Sequence, residues 1–384
     1  MSLIKTRSKL NEILDSWIGI AFFFAAMLYI HPPRILTIVS FYKASAPVVR
    51  PVLTGGLFLC VLILQQEAKK IWKEELIIWL MLLWTGVFVL SNCINGKSLE
   101  TVWDQLGMPI TVLLLVSVYS KVNLKKLLFL LFVYYLTMNT LNNASIFFFR
   151  NTGMWSSTFE KRSRNYSFFE HFDAGVDCAF PSILSGMVYS SMYDRSWEKV
   201  NVVNILFSLG SAAAVDCVAE IVIYSAAMLI QILSWLYRKI PALQKGLKWI
   251  NAKTLLVLDL LVFDLVVILG NFGILEAVGI DPRVHGRREL WDHILEKIFD
   301  NPIIGSGYQR SFKVQLYSGA THRFYHPHSI YLQVPFETGL IGSVIFAAAV
   351  WICIRSFDKI RSFEARFAGG ALFGIYFLTL VIEV

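Results

Sequence analysis

Apolar runs of roughly 17–25 residues recur from one end of this chain to the other, the length needed to cross about 30 Å of hydrocarbon. Inside a bilayer the backbone N–H and C=O groups find no water, so such runs must be helices. That excludes a soluble enzyme. Composition agrees, with 56% of the 384 residues apolar and 16% charged. The predicted class is an all-α polytopic membrane protein, read as a single transmembrane domain over residues 1–384.

The runs predict spans near 15–31, 51–66, 76–94, 107–120, 127–149, 176–193, 201–215, 217–236, 254–277, 329–353 and 367–384. This is about 11 transmembrane helices (10–12), because the block 201–236 is barely long enough for two crossings. With Lys5, Arg7 and Lys9 on the cytoplasmic side, eleven crossings put 20 Lys and Arg there and 15 outside. Of the outer 15, eleven lie in two long loops, 150–175 and 278–328, and the short outer loops keep four. This is the asymmetry of the positive-inside rule, and one crossing fewer at 201–236 would destroy it downstream. The net charge of +8 is thus spread over interhelical loops, which argues against a nucleic-acid partner. The first apolar segment follows a basic N-terminus but no small-residue cleavage site follows it, so it is read as a retained helix. The five cysteines show no CxxC spacing and are expected as free thiols rather than zinc ligands or a disulfide framework.

The larger outer loop, 278–328, concentrates the chemistry. From Arg287, the apolar residues Leu290, Trp291, Ile294, Leu295, Ile298 and Phe299 recur at helical spacing, which predicts an amphipathic helix ended by Asn301-Pro302. Arg283, Arg287 and Arg288 cluster at its start. They read either as a solvated basic patch or as an anion clamp, since guanidinium forks and a helix N-terminus both favour phosphate. His326 and His328 close the loop, and a neutral imidazole there suits a general base; a metal site lacks further ligands at a recognised spacing. Asp216, Glu220, Asp259, Asp264 and Glu337 fall within or beside apolar runs, where ionisable groups mark pathways or need partners.

The segment "GRRELWDHILEKIFDNPIIGSGY", followed by "HPHSIYLQVPFETGLIG", resembles the C-terminal signature of bacterial O-antigen ligases and the related O-antigen and exopolysaccharide polymerases. The matching positions are Gly286-Arg287, Trp291, Asn301-Pro302, Gly305, Gly307, His328-Ser329, Leu332, Glu337, Gly339 and Gly342. The specific likeness covers residues 286–342 and does not separate ligase from polymerase. It implies a GT-C-like fold with a large helical periplasmic loop carrying the site, in the bacterial inner membrane. It implies a metal-independent transfer, without cofactor, of a glycan from undecaprenyl diphosphate onto lipid A–core or a growing glycan. By the same resemblance Arg287 would hold the diphosphate and His328 would activate the acceptor hydroxyl; from their place in the loop, Arg288, Arg283 and His326 are expected to assist in binding substrate. The family also carries a mid-chain arginine that "SLGSAAAVDCVAEIVIYS" lacks; Arg162 or Arg164, or one of the loop arginines, is expected to substitute. A flippase or ion-coupled transporter is the competing class, but it favours two related halves, and no internal repeat is present.

Overall fold

A computed structural model describes residues 2–64, 76–149, 167–168, 176–215, 217–240, 243–247, 249–265, 270, 273, 277, 286–327 and 329–381. Its helices are α1 (Ser2–Asp15), α2 (Trp17–Ile30), α3 (Ser40–Leu64), α4 (Leu76–Ile94), α5 (Leu99–Phe149), α6 (Val176–Met192), α7 (Trp197–Ala214), α8 (Val218–Lys239), α9 (Ala252–Phe263), α10 (Arg287–Asp300), α11 (Ile330–Phe357) and α12 (Phe363–Val381), with two short helical turns besides. Strands β1 (Phe312–Gln315) and β2 (Thr321–Phe324) lie between α10 and α11.

Among the described residues, five helices are long and apolar enough to cross a membrane, or six if the bent pair α1–α2 counts as one span. This is the make-up of a polytopic helical membrane protein. Every expected span contains a helix, but several are short: α2 has 14 residues, α6 has 17 and α9 has 12. The doubtful block 201–236 holds two separate helices, α7 and α8. The expected spans 107–120 and 127–149 both lie in α5, whose apolar part runs 44 residues. At 1.5 Å per residue that is about 66 Å, twice the hydrocarbon thickness. Asn123 divides it, with non-helical φ −159° and ψ 96°, and its Oδ1 accepts the Lys126 N–H at 3.0 Å to start the second half. One departure from helix was not expected: Phe312–Phe324 forms an antiparallel hairpin within the loop read as helical. Strands of four residues are too short to give a periodic signal.

The chain divides into two compact units. The first comprises Met1–Glu74, Gly107–Gln244 and Ile360–Gly369. Phe23 and Met27 of α2, Leu57 of α3, and Leu115, Val118 and Tyr119 of α5 lie in its main apolar cluster. A second kind of contact joins α5 to α6 and α7. Asn139 Nδ2 donates to Asn204 Oδ1 at 2.7 Å and to Ser208 Oγ at 2.8 Å. Ser211 Oγ donates to Asn143 Oδ1 at 2.7 Å, and Asn204 Nδ2 to Ser182 Oγ at 2.9 Å. These side chains are buried, and each finds the partner that lipid cannot offer.

The second unit comprises Glu75–Leu106, Lys245–Lys359 and Gly370–Val384. It holds α4, α9, α10, the hairpin and α11. Phe263, Leu290, Trp291, Ile294, Phe312 and Phe336 form the centre of its apolar cluster, so α10 and the hairpin share one core with α9 and α11.

Candidate active site

The signature segment folds around a break in α11. Gly339 has φ 61° and ψ −163°, a region open essentially to glycine alone, and an added Cβ would strike the Ile303 carbonyl. In an unbroken helix Phe336 O would accept from Leu340 N–H, and Glu337 O from Ile341 N–H. Here every one of these groups is served from outside the helix. Ser306 N–H donates to Phe336 O at 2.7 Å, and Ser91 Oγ donates to Glu337 O at 2.7 Å. Leu340 N–H donates to Pro302 O at 2.8 Å, and Ile341 N–H to Ile303 O at 3.3 Å.

The turn after α10 is therefore a clasp on α11. Gly305 lies so close that a Cβ would come within 2.6 Å of the Thr338 and Gly339 backbone nitrogens. The last turn of α4 completes it: Asn92 Oδ1 accepts the Tyr308 N–H at 2.9 Å, and Asn95 Nδ2 donates to Gly305 O at 3.1 Å. Ser91, Asn92 and Asn95 were not singled out by sequence reasoning. Their spacing of one and four residues at the end of an apolar run is the signal that could have found them.

The helix α10 begins at Arg287, as its periodicity predicted, and ends one residue before Asn301. Gly286 precedes it with φ 66°, and Leu290 N–H donates to Gly286 O at 3.1 Å. The two neighbouring arginines take opposite positions. Arg287 is 3% exposed, beside the Leu290, Trp291 and Ile294 face. Arg288 is exposed, with its guanidinium 5.8 Å from the centre of the Tyr317 ring in the hairpin turn. Glu289 Oε1 accepts the Tyr317 N–H at 3.1 Å, and Tyr317 OH donates to Asp292 Oδ2 at 3.2 Å, so the hairpin turn is held to the outer face of α10.

Trp291 makes the link between the two halves of the signature. Fully buried, its Nε1–H donates to Pro327 O at 2.9 Å. Pro327 follows His326 directly, so the helix that starts at Arg287 holds the backbone at this described end of the loop. His326 is exposed. His328, Arg283, Arg162 and Arg164 lie outside the described residues. Of the seven candidate residues, Arg287, Arg288 and His326 are therefore described, and all three belong to the second unit.

Among the described residues, four further buried polar atoms in this region have no hydrogen-bond partner: Asp259 Oδ2, Glu289 Oε2, Ser329 Oγ and Tyr331 OH. Tyr331 packs on Phe263, ring centres 5.1 Å apart, and Phe263 lies one helical turn after Asp259. Asp259 is buried while Asp264 is exposed, as their spacing of five on one helix requires. Buried polar groups are nearly always paired, so these are positions where water or another molecule would find a partner. Sequence reasoning singled out Asp259 as an intramembrane acid; it missed Tyr331, whose only signal is its place three residues after His328.

Comparison with known proteins bears on the same stretch. Residues 202–347 match the family model described as O-antigen ligase, a segment that runs from α7 into α11 and contains the whole signature. A Rickettsia felis protein, named provisionally a polysaccharide ligase, is 25% identical over 111 residues. That alignment covers 27% of this chain and 27% of the relative, so the chain spans about a quarter of the curated protein it matches. No solved structure matches. The stretch 202–347 carries the sequence pattern of the O-antigen ligase superfamily.

Proposed function

We propose that this chain is an inner-membrane glycosyltransferase of the O-antigen ligase type. In this reading eleven crossings put the loop 278–328 on the periplasmic side. There it moves a glycan from undecaprenyl diphosphate onto the sugar of lipid A–core. The acceptor hydroxyl oxygen attacks the anomeric carbon, the bond from that carbon to the diphosphate oxygen breaks, and the hydroxyl proton passes to His328. Arg287 meets the negative charge of the departing diphosphate. A preplaced guanidinium stabilises the charge that develops on the leaving group, so the step is assigned no metal. Asp259, Ser329 and Tyr331 offer their unpaired atoms to sugar hydroxyls. Arg288 and His326 flank the donor, and Arg283, Arg162 or Arg164 supplies the second phosphate contact.

One observation carries this reading: the Trp291–Pro327 hydrogen bond ties the helix begun by Arg287 to the backbone between the two histidines. The bond supports the reading because it holds Pro327, which neighbours His328 in sequence, to the helix that Arg287 begins. The test is complementation of a deletion strain with Arg287→Ala and His328→Ala, read as the envelope glycan profile. Removing a charge-stabilising donor of this kind costs roughly a hundred- to a thousandfold in rate. Surface-attached lipopolysaccharide is expected to vanish while polymer length on the carrier is retained. A single repeat unit on the core would instead assign a repeat-unit polymerase of the same superfamily. Full transfer by both variants overturns the site, and carrier flipping in proteoliposomes without acceptor replaces the enzyme with a transporter.

A further inference from the structure

We infer that the groove between α7 and α8 is a binding site for an anionic phospholipid, with one acyl chain along the groove and the phosphate on Lys199 and Lys239. The two helices run antiparallel, since Glu198 pairs with Arg238 while Asn201 hydrogen-bonds Gln231. The groove between them has a volume of about 460 Å³. That falls in the roughly 300–1,000 Å³ range of pockets that hold small ligands. Val202, Val203, Met228 and Ile232 give it apolar walls, and α8 is one of the helices long and apolar enough to span a membrane.

The charged end of the groove selects the occupant. Four cations lie there, Arg195, Lys199, Arg238 and Lys239, against three carboxylates, Asp194, Glu198 and Glu364. Arg238 takes both glutamates, through an ion pair with Glu198 and a 3.5 Å contact with Glu364 Oε1. Arg195 reaches the other oxygen of Glu364 at 3.5 Å, and Gln231 Nε2 donates to Glu198 at 3.0 Å. The remaining acid of the turn, Asp194, accepts from Ser196 N–H at 3.0 Å and Ser196 Oγ at 2.7 Å. Four cations against three carboxylates leave one net positive charge, and among the described residues no ion pair joins Lys199 or Lys239 to a carboxylate. Lys199 is exposed at the mouth of the groove. Lys239 stands 4.3 Å from the Trp235 ring centre, and Trp235 is itself part of the groove wall and 47% exposed.

A tryptophan and a lysine stacked at a helix end mark the headgroup level of a bilayer. An apolar slot that opens at this level under Lys199 and Lys239 complements a phosphate joined to a hydrocarbon chain. Basic pockets between membrane helices bind anionic lipid headgroups by this logic, each nearby cation contributing about a fivefold gain in binding. A zwitterionic lipid carries its own cation and gains little.

The test uses the purified full chain in detergent, with dioleoyl phosphatidylglycerol and dioleoyl phosphatidylcholine offered in turn and retained lipid read by native mass spectrometry. It needs no glycan substrate, so its outcome is independent of the proposed transfer. Phosphatidylglycerol is expected to be retained preferentially, the preference falling as salt rises. Lys199→Gln with Lys239→Gln should lower its binding roughly 25-fold, being about fivefold for each lysine. Val203→Trp should fill the groove and lower binding with both lysines intact. Both lysines are exposed, so the double variant keeps its thermal midpoint. Equal retention of the two lipids, or phosphatidylglycerol binding unchanged in the double variant, overturns the inference. Displacement of phosphatidylglycerol by an equimolar polyprenyl phosphate also overturns it, by assigning the slot to a different lipid.

Discussion

The two units solve one problem in two ways. Both bury polar groups among apolar helices, where an unpaired group costs several kcal/mol. In the first unit the polar groups are side chains, and regular helices bring Asn139, Asn143, Asn204 and Ser208 face to face. In the second the polar groups are backbone, freed by the break at Gly339, and an irregular turn is shaped to receive them. Side-chain pairing tolerates substitution because the bonds are shared: Asn139 and Ser208 each have more than one partner, so the loss of one leaves others in place. Backbone pairing does not, since the turn, the kink and the close approach at Gly305 exist only together.

That contrast predicts a steep ordering of mutational costs. Gly339→Ala should cost most, roughly 3 kcal/mol or more, because an alanine meets both a forbidden backbone conformation and the Ile303 carbonyl. The measurement is the denaturation midpoint of the purified chain, and an unchanged midpoint would mean that the clasp does not hold α11. Trp291→Phe comes next. It keeps the ring's packing and removes only the bond to Pro327 O, a loss of about 1 kcal/mol in stability. If that bond positions the histidine segment, glycan transfer falls further than stability does; equal small losses in both would make Trp291 a packing residue only. The smallest effect belongs to the first unit. A double-mutant cycle on Asn139→Ala and Ser208→Ala should return a coupling of about 0.6 kcal/mol, typical of single interhelical hydrogen bonds in membranes. A coupling comparable to the Gly339 loss would erase the distinction between the units.

The same contrast explains what could be read beforehand. Helix α10 was legible from Arg287 to Asn301-Pro302 because its apolar residues repeat at helical spacing and the proline ends it. Pro335, Gly339 and Gly342 are residue types that permit a bend in this stretch. That the bend is fastened by Pro302, Ile303 and Ser306 was not legible, since those bonds use main-chain atoms and leave no side-chain signature. In the first unit the search for buried charge passed over the stripe Asn201, Asn204, Ser208 and Ser211, although its spacing of three, four and three places one polar face on α7. Uncharged polar residues barely disturb hydropathy, so the stripe was hidden within an apolar run. The burial of Arg287 against the exposure of Arg288 was equally out of reach, because adjacent residues on a helix point about 100° apart and only the packed core decides which turns inward.

The clasp also bears on how the chain assembles. Pro302–Ser306 lies outside α11, and the groups it serves would stand bare in hydrocarbon if the helix broke before the turn arrived. Without the turn, Phe336 O, Leu340 N–H and Ile341 N–H would find partners only in an unbroken helix, so the break in α11 and the turn after α10 stand or fall together.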